Sequence, residues 1–171
     1  VWICDLLKNE RKLIIDLERI VNFKFDNNNS NTEHYINHLS FNPSGNRFLF
    51  FHIWNVDGKR YTRAITSDLL GQNLCLLNEG RTASHYAWKN DEELLMTAYG
   101  KKGFGYFLFK DLSNSNKPIS PQRLTMDGHP GFVNGDDIIT DSYPQGFFND
   151  QTLLLDESNG ELMKIASIHS S

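Results

Sequence analysis

The chain has 171 residues, 39% of them hydrophobic, which is enough apolar content for one sizeable core. Its net charge of -4 carries no basic bias of the kind a nucleic-acid partner selects, and no apolar run is long enough to span a membrane. Two cysteines, Cys4 and Cys75, without CxxC spacing, fit a reducing compartment. The expected location is the cytoplasm, with the periplasm as the alternative, because no signal peptide is visible and the chain opens at Val1.

In chain order, residues 1–5 and 11–15 read as two short strands joined by a turn at Asn9-Glu10. Residues 16–35 read as an insertion. Within it, Leu17 to Phe23 can form a helical turn, Asp26 to Asn31 is a polar loop, and His34 is expected in a loop. Four strands follow at about 36–41, 47–53, 60–66 and 73–78, with Asn42-Pro43-Ser44-Gly45 as the first breaker. Four more are expected at about 83–88, 93–99, 104–109 and 121–125. A last group falls at about 129–133, 137–142, 151–156 and 161–166, with Ser158-Asn159-Gly160 before its final strand.

These groups repeat. His38-Leu39-Ser40-Phe41, His85-Tyr86-Ala87-Trp88 and His129-Pro130-Gly131-Phe132 each give a histidine, two residues and an aromatic. A polar turn and an apolar strand come next in each. The histidines are 47 and 44 residues apart, a period that belongs to four-stranded propeller blades. The sequence therefore predicts an all-β chain: one β-propeller fragment of about three and a half four-stranded blades, about half of a ring. Residues 1–15 supply the outer strands of a partial blade, and 36–78, 83–125 and 129–166 the full blades. Phe41, Trp88 and Phe132 are expected to pack between blades, on the face opposite their histidines. Such a fragment leaves strand edges open, so further blades of the same protein, or another copy, are expected to complete the ring.

Residues at equivalent repeat positions converge on a propeller axis. His38, His85 and His129 therefore either meet in a ligand site or each bond to a neighbouring blade as a structural ring. His52, Arg63, Asp141 and Tyr143-Pro144 fall in the same neighbourhood. An arginine within a strand, such as Arg63, is most often a snorkelling surface residue; its functional reading is a bidentate fork for a carboxylate. No phosphate loop, HExxH or GxSxG is present.

Read together, several segments carry a resemblance. They are Val1-Trp2-Ile3-Cys4-Asp5, Asn37-His38, Phe51-His52, Arg63 with Gly71-Gln72-Asn73 eight residues on, Ser84-His85-Tyr86-Ala87-Trp88, and Gly128-His129-Pro130. Their order resembles that of the oligogalacturonate lyases, seven-bladed propellers of bacterial pectin breakdown, and of a wider group of bacterial WD40-like, TolB-type propellers. Asp127 and Tyr143-Pro144 look more like the wider group. The resemblance to the lyases implies β-elimination on a uronate-containing oligosaccharide, with manganese at the axis. It implies His85 as the base, Arg63 beside it, and His129 as one metal ligand. The other ligands, a glutamine and two histidines, would come from a blade outside this chain. His38, His52, Tyr86, Asp141 and Tyr143 are the expected substrate-binding residues. The alternative is a propeller that binds carbohydrate or protein without cleaving it.

Overall fold

The computed structural model describes residues 1–24, 32–78, 82–100, 103–113, 115–144 and 150–169. The expected polar loop at Asp26 to Asn31 lies outside them. Among the described residues no helix is long and apolar enough to cross a membrane. The chain groups into two compact units, Val1–Thr82 with Asp111–Asn114, and Ala83–Lys110 with Ser115–Ser171.

The first unit opens with the antiparallel hairpin β1 (Trp2–Asp5) and β2 (Glu10–Leu13). Helix α1 (Leu17–Asn22) follows, and Asp16 caps it by accepting a hydrogen bond from the Arg19 N–H at 2.7 Å. A four-stranded sheet runs in chain order through β3 (His34–Phe41), β4 (Arg47–Val56), β5 (Lys59–Asp68) and β6 (Cys75–Leu76). Asp57 and Gly58 join β4 to β5 with φ of +49° and +75°, the positive pair that a two-residue hairpin turn needs. Phe48, Phe50 and Ile65 on one sheet face enclose Ile15 and Ile20 in a core cluster. Arg47, Thr66 and Asp111 form a buried ion-pair and hydrogen-bond cluster.

The second unit holds two further four-stranded sheets. One consists of β7 (Ala83–Trp88), β8 (Glu93–Gly100), β9 (Gly103–Lys110) and β10 (Asn116–Ile119). The other consists of β11 (Gly131–Val133), β12 (Asp137–Asp141), β13 (Asp150–Asp156) and β14 (Leu162–His169). Leu95, Tyr106 and Leu108 of the first pack with Leu124 and with Ile138 of the second, and Phe132 lies against this cluster. The Tyr106 hydroxyl and Thr140 Oγ1 are 2.8 Å apart, and burial pushes that phenol up to about 12.

Several sequence expectations need correction. The fourth strand of the second sheet is 116–119, not 121–125. At Ser120 the chain turns, with the Arg123 and Leu124 N–H groups donating to the Ser120 carbonyl. Leu124 then fills the core instead of a ladder. His34 is a strand residue of β3, paired with Trp54, and not part of a loop. Phe132 packs between sheets as expected, but Phe41 is 58% exposed. Phe41 pairs directly with Phe48, so both lie on one face. Ile15, just before the insertion, and Ile20 within it cover the Phe48–Phe50 part of that face and leave Phe41 outside at the strand end.

Candidate functional site

Two of the three repeat histidines come together. The His85 and His129 rings are 4.0 Å apart, centroid to centroid, and the Tyr143 ring lies 5.8 Å from each. Each histidine is placed by the same local device. The residue 12 positions on, one strand over, accepts its backbone N–H: Thr97 Oγ1 from His85 at 3.1 Å, and Asp141 Oδ1 from His129 at 2.7 Å. Near His85 the ladder shifts register between Ala83 and Tyr86, which accommodates this side-chain bond. His129 precedes β11, with the buried Pro130 between them.

Carboxylates back both imidazoles. His129 Nδ1 is 2.9 Å from both oxygens of Asp141, and Gln151 donates to Asp141 Oδ2 at 2.8 Å. His85 Nδ1 faces Asp127 Oδ1 at 3.3 Å and Ser84 Oγ at 3.1 Å. Burial would raise the Asp141 carboxyl, but the bonds from the His129 N–H and ring and from Gln151 outweigh it and hold it low. Burial first, and then the charges of Asp127 and Asp141, push the Tyr143 phenol up, so Tyr143 keeps its proton as a donor. Its hydroxyl lies 3.3 Å from His85 Nε2.

Of the remaining expected site residues, Tyr86 belongs to the second unit and His38, His52 and Arg63 to the first. Tyr86 is half-buried in β7, in register with Met96. His38 stands in the first unit at a bulge of β3 with φ of +53°, exposed, its ring 5.2 Å from Phe51. His52 and Arg63, a directly paired couple of β4 and β5, are buried. The fork of Arg63 points inward, against the snorkelling expectation. Its Nη1 donates to the Phe23 carbonyl at 2.7 Å and the Lys24 carbonyl at 3.3 Å, and its Nη2 to the Ile20 carbonyl at 2.7 Å. These are the end carbonyls of α1, which a cation suits.

Arg63 also sets a hydrogen-bond direction. Its Nε donates to His52 Nδ1 at 2.9 Å. An arginine only donates, so His52 Nδ1 accepts and its proton sits on Nε2. That Nε2 faces His34 Nδ1 at 3.0 Å, and His34 Nε2 in turn lies 3.1 Å from Thr32 Oγ1. The His34, His52 and Trp54 rings stack. Burial, then the charge of Arg63 and then that of His34, lower the His52 imidazole to about 3.

Sequence reasoning missed Ser84, Thr97 and His34 and gave Asp127 no role. A signal for two of the polar partners is present: Thr97 and Asp141 each follow their histidine by 12 residues. Among the described residues no three His, Cys, Asp or Glu side chains form a set able to hold a metal ion. The carboxylates nearest the paired imidazoles are turned to the Nδ1 sides. These residues alone do not fit a manganese centre, which favours several oxygen ligands.

Three four-stranded antiparallel sheets and a leading hairpin, spaced at blade period, define a partial β-propeller. A solved structure has this fold: the β-propeller domain of the Trilobed protease from Pyrococcus furiosus, described as having an open velcro topology. The match has a TM-score of 0.50 and 17% identity and covers 77% of this chain. This chain spans 43% of the length of that one. No family model and no curated protein matches the chain.

Proposed function

We propose that the His85–His129–Tyr143 cluster is a proton-transfer site acting on a uronate-containing oligosaccharide by β-elimination. The observation that carries this reading is the ring contact at 4.0 Å between two imidazoles, each backed by a carboxylate at Nδ1. A carboxylate behind Nδ1 raises the usefulness of the opposite nitrogen as a base. In the reaction His85 Nε2 takes the proton alpha to the uronate carboxylate. The electrons of that C–H bond form the ring double bond, the bond to the leaving glycosidic oxygen breaks, and the Tyr143 hydroxyl supplies the proton that oxygen needs. His129, when protonated, faces the substrate carboxylate and lowers the cost of charge building there. Arg63 takes no part, because its fork holds the α1 carbonyls. Further blades of the same protein would frame the saccharide.

The test gives di- and trigalacturonate to the whole protein carrying this chain, with and without manganese, and follows absorbance of the unsaturated product. Product is expected, with a drop of about a hundredfold or more in His85→Ala. No product, or undiminished product in that variant, refutes the catalytic reading. The commitment of Arg63 to helix carbonyls favours a second reading, in which the cluster binds acidic saccharide without cleaving it. Calorimetric binding without product, weakened in His85→Ala, would support that one. Absence of both binding and product excludes the two together.

A further inference from the structure

We propose that Asp127 is the positioning residue that fixes the tautomer of His85. The inference rests on reading the His85 cluster as the functional site, and it assigns the group that makes His85 fit to accept a proton. Four donors converge on the Asp127 carboxylate. Thr97 Oγ1 donates to Oδ1 and Ser84 Oγ to Oδ2, both at 2.6 Å, and the Gly128 N–H donates to Oδ1 at 3.1 Å. His85 Nδ1, 3.3 Å from Oδ1, is the fourth.

The proton count leaves one solution. The Ser84 hydroxyl has a single hydrogen, and it is directed to Asp127. Toward His85 Nδ1, 3.1 Å away, Ser84 Oγ can therefore only accept. Both neighbours of Nδ1 are acceptors, so Nδ1 must carry the hydrogen. A neutral His85 then presents a bare lone pair at Nε2, and the Tyr143 hydroxyl donates to it.

Comparison of the two histidines explains why Asp127 is needed. In the third blade Asp141 both accepts the His129 backbone N–H and grips its ring. In the second blade the equivalent position is Thr97. Its hydroxyl accepts the His85 N–H but passes its own proton to Asp127. Asp127, two residues before His129, thus supplies the carboxylate that Thr97 lacks. The same loop serves both imidazoles.

Nitrogen NMR of the histidine-labelled whole protein, without saccharide or metal, tests this directly. In the wild type the His85 Nε2 signal is expected in the downfield position of an unprotonated nitrogen, with the proton on Nδ1. Asp127→Asn should move most of the population to the other tautomer, and Asp127→Glu should restore it. Ser84→Ala, which leaves the carboxylate in place, should keep the wild-type pattern. A wild-type proton on Nε2, an unchanged tautomer in Asp127→Asn, or a flipped one in Ser84→Ala each overturns the proposal. If Asp127→Asn fails to fold, the wild-type and Ser84→Ala spectra still decide it. Because no substrate is present, a missing lyase activity with the expected tautomer refutes only the catalytic reading, and the wrong tautomer in an active enzyme refutes only the role of Asp127.

Discussion

His52 should make this protein acid-labile. It is fully buried and neutral, held between Arg63 Nε and His34, with Trp54 stacked 5.2 Å away. In the folded chain it binds a proton only near pH 3, against an ordinary histidine value of 6.5 once unfolded. The folded pKa is the lower one, so the unfolded state takes up the proton first. The stabilisation is present above about pH 6.5 and is lost as pH falls toward 3. Between pH 7 and pH 4 the unfolded state gains about 2.5 units of protonation driving force that the folded state does not share, about 3 kcal/mol. Urea unfolding at a series of pH values, followed by tryptophan fluorescence, measures this for the wild type and for His52→Gln. Glutamine keeps an acceptor for Arg63 but does not titrate. Carboxylates such as Asp141 and Asp68, whose pKa values are also held low, contribute equally to both proteins and cancel in the difference. Wild type should therefore lose about 3 kcal/mol more than His52→Gln over that range. Parallel pH profiles would refute the argument and mean that water or local opening reaches His52 in the folded state.

Two further expectations concern packing. Asp111 lies buried against Arg47 and Thr66, so Asp111→Ala strands a cation and should cost about 3–5 kcal/mol, measured by urea denaturation, while exposed pairs such as Lys8–Asp5 should cost under about 1 kcal/mol. Gly128 lies where a Cβ would collide with the Asp141 carbonyl oxygen and press on Thr140 Oγ1. Gly128→Ala should therefore displace the Asp127–His129 loop. It should lower saccharide affinity or turnover by about tenfold or more, with a smaller change in global stability.

The propeller was legible because its signals are local and periodic. The histidine-to-aromatic spacing, the breaker at Asn42 to Gly45 and the paired apolar strands recur at blade length, and observed strands such as Ala83–Trp88 fall on the expected residues. A helical turn in the insertion was legible too, at Leu17 to Phe23, and the structure shows its N-cap in Asp16, the residue directly before it. The fourth strand of the second blade was not. Pro118, Ser120 and Pro121 offer several turns, and only the burial of Leu124 selects among them. Phe41 had a core pattern, but the residues that cover its face, Ile15 and Ile20, lie upstream of the first repeat.

The same division runs through the site. By itself the sequence determined that His85 and His129 occupy equivalent places in adjacent blades, because strand periodicity fixes which way equivalent side chains face. Only the tertiary structure decided what surrounds them. Asp127 is 42 residues from His85, and Tyr143 is 58 from it. No local spacing rule connects residues that far apart. It likewise took the packed structure to turn Arg63 from a candidate substrate fork into the cap of α1, since its partners, Ile20 and Phe23, lie 43 and 40 residues earlier. A residue type states which bonds a side chain can make, and the fold states which of those partners it meets.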